Sequence, residues 1–128
     1  MSKYLADTTV LVDHFRGKRN AGEFLGSKKP TISFISLGEC TYGARNKKEL
    51  ELIQQMLRQF NIEWGSAEIN QLAIKLLADY YLKYGLQFLD AIIAAMAINK
   101  GYVLITDNIK HFRFIPKLKV LRLSEINL

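Results

Sequence analysis

The stretch Phe88-Leu89-Asp90-Ala91-Ile92-Ile93-Ala94-Ala95-Met96-Ala97-Ile98-Asn99 constrains this chain more than any other segment. Wound as a helix, it is apolar almost all round, so it has no face to offer water and belongs at the centre of the molecule. Its longest apolar run, Ala91 to Ile98, is far too short to cross a bilayer, so other parts of the same chain must cover it. Gly101 stops the helix, and Tyr102 to Ile105 follows as a buried strand. Shorter apolar runs, at Lys3 to Ala6, Thr31 to Ser33, Asn61 to Trp64 and Val120 to Leu123, also read as strands. Helices separate them. One opens at Asp7-Thr8-Thr9 and runs to about Phe15, and Ala21 to Leu25 adds a turn or two before a turn from Gly26 to Pro30. Helices over Ser36 to Arg45, Lys47 to Phe60 and Ala67 to Tyr84 follow, the last stopped by Gly85. Strands alternating with helices imply an α/β fold with a mainly parallel sheet covered on both faces. A chain of 128 residues is expected to form one domain, 1–128, with no repeat or linker.

The net charge is +6 with a sequence pI near 9.5, which favours a polyanionic partner. The cations cluster: Arg16, Lys18 and Arg19 early, then Arg45, Lys47 and Lys48, and Lys110, Arg113, Lys117, Lys119 and Arg122 near the end. The single cysteine, Cys40, excludes an internal disulfide and reads as a small core residue in a reducing compartment. No signal peptide or membrane span is evident, so a cytoplasmic location is expected. There is no His-x-x-x-His, Cys-x-x-Cys or Gly-x-x-x-x-Gly-Lys pattern, which takes support from zinc-hydrolase and nucleotide-loop readings.

Four acids sit where a carboxylate is expensive without a partner: Asp7, Glu39, Asp90 and Asp107. Asp7 and Asp107 end strands, and ligands of an open parallel sheet bind beyond the carboxyl ends of its strands. Asp90 and Glu39 lie in the opening turns of helices that can start at the same edge. Taken singly, Asp7 could be a helix cap and Asp107 a turn residue; together the four suggest one pocket holding a hard cation. Asp13, Glu23, Glu49, Glu51, Glu63, Glu68, Asp79 and Glu125 read as solvated. His14 reads as a packing or surface residue, and His111 as a candidate phosphate contact.

Four segments in order resemble the motifs of PIN-domain ribonucleases, and more narrowly the VapC-type toxins of toxin–antitoxin pairs. They are Leu5-Ala6-Asp7-Thr8-Thr9-Val10-Leu11-Val12, Ile35-Ser36-Leu37-Gly38-Glu39-Cys40-Thr41-Tyr42-Gly43-Ala44, Phe88-Leu89-Asp90-Ala91-Ile92-Ile93-Ala94-Ala95 and Leu104-Ile105-Thr106-Asp107-Asn108-Ile109-Lys110-His111-Phe112. The resemblance implies a three-layer α/β/α PIN-like fold and Mg²⁺- or Mn²⁺-dependent hydrolysis of RNA by metal-activated water. Asp7, Glu39 and Asp90 match the first three acids of the family. The fourth position falls on Asp107 or on Asn108, two residues beyond Thr106. Thr8 and Thr106 match hydroxyls that orient the carboxylates, whereas Thr9 stands where the family often has Asn or Ser. Arg16, Lys18, Lys110 and Arg113 are the expected grip on RNA phosphates. A homodimer inhibited by a small VapB-like antitoxin is also implied.

Other readings predict other things. A PIN nuclease of RNA processing would have no antitoxin, and non-catalytic RNA-binding PIN modules often lose their acids, of which this chain keeps at least three. A phosphoacceptor receiver domain needs an Asp ending its third strand, and Asn61-Ile62-Glu63-Trp64 has none.

Overall fold

A computed structural model of the chain describes residues 2–128; Met1, the first residue of the expected domain, lies outside the described residues. Its strands are β1 (Tyr4–Ala6), β2 (Thr31–Ser33), β3 (Ile62–Glu63), β4 (Val103–Ile105) and β5 (Val120–Leu121). They form one sheet in the order β3-β2-β1-β4-β5, and all four pairings are parallel. In register, Ala6 lies beside Ile32 on one flank and Ile105 on the other.

Side chains alternate across a strand, and here the alternation sorts the core into two halves. Leu5 and Leu104 face one side and pack with α5 (Ala67–Tyr84) and α6 (Phe88–Lys100). Ala6, Ile32 and Ile105 face the other, against α1 (Thr8–Phe15), α2 (Arg19–Lys28), α3 (Phe34–Tyr42) and α4 (Lys47–Leu57). The result is the three-layer α/β/α arrangement that the alternation of strands and helices implies. Residues Ala91 to Ala97 of α6 are all buried, whereas Phe88 and Leu89 in its first turn are 52% and 44% exposed.

Side-chain caps and left-handed stops set several helix ends. Ser66 accepts the Ile69 N–H at 3.1 Å to start α5, and Asn46 accepts the Glu49 N–H at 2.8 Å to start α4. Gly85 and Gly101 take φ of +72° and +73° just past α5 and α6, a conformation that costs glycine least.

Some boundaries differ from the sequence reading. Helix α2 runs through Gly26 to Lys28 because Ala21, Phe24 and Leu25 bury a helical stripe and Gly26 faces open space. Lys29, at φ 43° ahead of Pro30, then ends it. Helix α3 starts at Phe34 rather than Ser36, since the Ser33 hydroxyl caps it through the Ser36 N–H at 3.1 Å. Helix α4 stops at Leu57, and the tighter bonds of Gln59 and Phe60 to Met56 and Leu57 close its end. A 3₁₀ turn at Ile109–His111, which no sequence signal announced, follows β4.

Candidate active site

The chain passes from β1 to β2 on one flank and reaches β4 on the other, so the carboxyl ends of β1 and β4 form a topological switch point. A pocket of about 580 Å³ opens there. Asp7, Thr8, Glu39, Asp90, Asp107 and Asn108 all line it, as does Arg16. Four distant segments thus meet at one edge.

Asp7 follows β1 directly and is 5% exposed. It occupies the N-cap position of α1, yet its side chain makes no capping bond. The carboxylate is instead held by two threonine hydroxyls, one of them from the end of β4. Thr106 Oγ1, fully buried, donates to Asp7 Oδ2 at 2.7 Å, and Thr9 Oγ1 donates to the same oxygen at 3.2 Å. Burial pushes the Asp7 carboxyl above its ordinary value; the Thr106 bond draws it down, and the nearby Glu39 charge adds to the rise.

Glu39 lies in α3 at the rim. Thr8 Oγ1 donates to Glu39 Oε1 at 2.7 Å and stands 2.8 Å from Ser36 Oγ. Ser36 and Ser33 are themselves buried, so Glu39 rests on a column of hydroxyls reaching back to the end of β2. Asp90 is in the first turn of α6. Burial raises its carboxyl, the Asp7 charge raises it further, and His111 opposes the rise. Raised carboxyls that repel one another are the electrostatic mark of a place suited to added positive charge.

The loop after β4 is clipped to the same hydroxyls. The Asp107 N–H donates to Thr9 Oγ1 at 3.1 Å, and the Asn108 N–H donates to Thr106 Oγ1 at 3.0 Å. The Asp107 carboxyl turns toward Asp13. A hydrogen bond shared with Asp13 pushes Asp107 up to about 6, with burial second, and holds Asp13 below its ordinary value. Lys18 Nζ lies 3.3 Å from Asp13 Oδ1.

Asp13 reads from sequence as solvated, and the structure corrects this: its side chain is 13% exposed and lines the pocket. The available signal was its place one turn after Thr9, on the same face of α1. Thr9 joins the network although it departs from the expected Asn or Ser. Of the expected RNA-binding cations, Arg16 lines the pocket and Lys18 reaches its edge through Asp13. Lys110 and Arg113 are exposed and lie outside its lining. Cys40 is buried, and burial pushes its thiol up to about 11, so it supplies no thiolate.

The oxygen-only donors, Asp7, Glu39, Asp90 and Asn108, fit a hard divalent cation by chemistry. Among the described residues, no three His, Cys, Asp or Glu side chains are gathered tightly enough to hold an ion as they stand. Each carboxylate is engaged elsewhere: Asp7 by threonines, Glu39 by Thr8, Asp90 by His111.

The PIN domain family model matches residues 4–117, and the chain belongs to that family. PIN domains are generally nucleases and generally use divalent metals. Among solved structures, a toxin–antitoxin complex from Klebsiella pneumoniae contains a chain 34% identical to this one; the match covers 96% of this chain and 99% of that one, with a TM-score of 0.80. VapBC2 from Rickettsia felis, bound to a DNA fragment from its promoter, is similar at 28% identity, with 93% and 97% covered and a TM-score of 0.72. DNA-bound VapBC from Salmonella typhimurium shares the fold at 21% identity, with 96% and 99% covered and a TM-score of 0.85. No curated protein matches the chain. No helix among the described residues is long and apolar enough to cross a membrane.

Proposed function

We propose that this chain is a divalent-metal-dependent endoribonuclease and the toxin of a VapBC-type toxin–antitoxin pair. The observation that carries the reading is the meeting of Asp7, Glu39 and Asp90, from three separate elements, in one pocket at the carboxyl edge of a parallel sheet. Asp7, Glu39 and Asp90 would hold the ion, Mg²⁺ or Mn²⁺. Asn108 is the better fourth member, because Asp107 is engaged by Asp13. When bound, such an ion supplies positive charge against the attacking and leaving oxygens of a phosphodiester and acidifies attacking water.

The chain's own residues do the rest. Thr106 and Thr9 hold Asp7, and Thr8 holds Glu39, so the acids are oriented before substrate arrives. Arg16, at the pocket wall, and Lys18, beside it on Asp13, would bind RNA phosphates. Single-stranded or looped RNA is the substrate we favour, because its backbone can enter a narrow pocket.

The antitoxin partner is inferred from the likeness to the Klebsiella pneumoniae complex. A groove lined by Val12, Phe15, Arg16, Leu52 and Ile53 continues from the pocket and could seat the tail of a small protein. A homodimer is supported by the exposed apolar side chains of Tyr42, Trp64 and Leu89.

The test is cleavage of cellular RNA by purified protein with Mg²⁺, with Mn²⁺ and with chelator, followed by mapping of the cut ends. Metal-dependent internal cuts leaving 5′-phosphates are expected, and Asp90→Asn should abolish them. Equal cleavage with and without chelator would sink the reading.

A further inference from the structure

His111 is the one basic side chain in ion-pair range of Asp90 among the described residues, and its ring Nδ1 lies 3.3 Å from Asp90 Oδ2. An ionised carboxylate only accepts, so the contact with ionised Asp90 takes its proton from His111 Nδ1. The ring is not on a free arm. His111 closes the 3₁₀ turn that begins at Asn108, with its own N–H on the Asn108 carbonyl at 3.0 Å. The next residue, Phe112, is fully buried and bonds back to the Ile109 carbonyl at 3.1 Å. The core therefore fixes the turn that carries the ring, while the ring itself, its side chain 54% exposed, is met by Asp90. Asp90 comes from α6 and Asn108 from the loop after β4, and both line the pocket. His111 ties these two segments together.

We infer that His111 is a positioning residue. Its Nδ1–H holds Asp90 by one carboxylate oxygen and couples the orientation of that acid to the turn that carries Asn108. This inference rests on the nuclease reading for its consequence, but the contact itself can be tested without metal or RNA. A histidine that only gripped phosphate would not need Nδ1 on Asp90, and one that only filled surface would not need an anchored turn.

The experiment uses the full chain and three variants. Nitrogen-15 spectra of the His111 ring, recorded without metal, should show a protonated, hydrogen-bonded Nδ1 whose resonance moves on Asp90→Ala. His111→Phe keeps a ring without a donor, and His111→Asn places an amide N–H near the same point. His111→Phe is expected to weaken Mn²⁺ binding in calorimetry about tenfold, the lower end for removal of a ligand-orienting partner. It should lower kcat for RNA cleavage with KM little changed, and His111→Asn should recover most of both. Amide spectra of each variant establish that it is folded. An Nδ1 resonance indifferent to Asp90→Ala overturns the contact. Wild-type Mn²⁺ affinity in His111→Phe, equal losses in both His111 variants, or a rise in KM alone each overturns the positioning role. A wild-type chain that neither binds Mn²⁺ nor cleaves RNA, yet whose Nδ1 answers to Asp90→Ala, overturns the nuclease reading and supports the contact.

Discussion

Thr106 Oγ1 donates to Asp7 Oδ2 at 2.7 Å, a bond between two buried residues 99 positions apart that joins the ends of adjacent strands β1 and β4. The pairing of Ala6 with Ile105 brings them side by side. A buried carboxylate is usually held by a base; here the holders are neutral hydroxyls, which orient the acid and leave its charge uncancelled.

Thr106→Val keeps the shape of the side chain and removes this donor. It also removes the acceptor for the Asn108 N–H. The expected cost is about 1–3 kcal/mol at neutral pH, the penalty for leaving a buried polar group unpaired. Mn²⁺ binding should weaken as well, because the Asp7 carboxyl rises further without its strongest lowering partner. Thr106→Ser should retain most of both. Chemical denaturation and calorimetry check this, and a Val variant equal to wild type in both would show that the bond carries nothing.

Asp7→Asn should separate stability from function. The charge at Asp7 is opposed by burial and by Glu39, so a neutral isostere relieves both. The metal-free variant should melt no lower than wild type, and about 1 kcal/mol of relief would appear as a rise of a few degrees. Metal-dependent RNA cleavage should vanish. A folded Asp7→Asn protein with wild-type cleavage would remove Asp7 from the site.

These relationships were partly legible in the sequence. Asp90 announced itself by interrupting an apolar helix, and Asp7 by ending a strand, because burial makes a lone charge conspicuous. Gly85 and Gly101 announced helix ends because capping chemistry is local. Asp13 was missed because its partner, Asp107, lies across the fold, and a helical acid near water looks solvated until that partner is placed. Lys110 and Arg113 were expected beside Arg16 and Lys18 on RNA phosphates; both are exposed and lie outside the pocket lining, which Arg16 joins. Gly26 looked like a stop, yet the buried stripe of Ala21, Phe24 and Leu25 outweighs a cost of about 1 kcal/mol for glycine within a helix.

The cations can be ranked by position. Arg16 lines the pocket, and Lys110 and Arg113 do not. Arg16→Ala should raise KM for RNA several-fold with a smaller change in kcat, and it should flatten the dependence of log affinity on log salt by about 0.7 for each phosphate left without its cation. Lys110→Ala and Arg113→Ala should do less on both counts. Filter binding at several salt concentrations decides the order, and equal effects for all three would mean that RNA follows a path set by the overall charge.

Asp13 and Asp107 give the metal-free protein a pH dependence with a definite sign. Asp107 is raised from 3.8 to about 6, chiefly by its hydrogen bond with Asp13. The folded state therefore holds this proton more tightly than the unfolded chain. Stability from Asp107 is fully present below the ordinary carboxyl value and is lost as pH rises through about 6. Asp7 and Asp90 are also raised and act in the same sense. Asp13 is lowered, so its own contribution is present above 3.8 and is lost only on further acidification. The melting temperature in chelator should thus fall between about pH 4.5 and pH 7.5, on the alkaline side of the ordinary carboxyl range. Asp107→Asn should remove part of that fall and leave the share due to Asp7 and Asp90. Asp13→Asn should do likewise, since the rise in Asp107 comes mainly from Asp13. Parallel curves for wild type and both variants would mean that the two carboxyls do not share a proton.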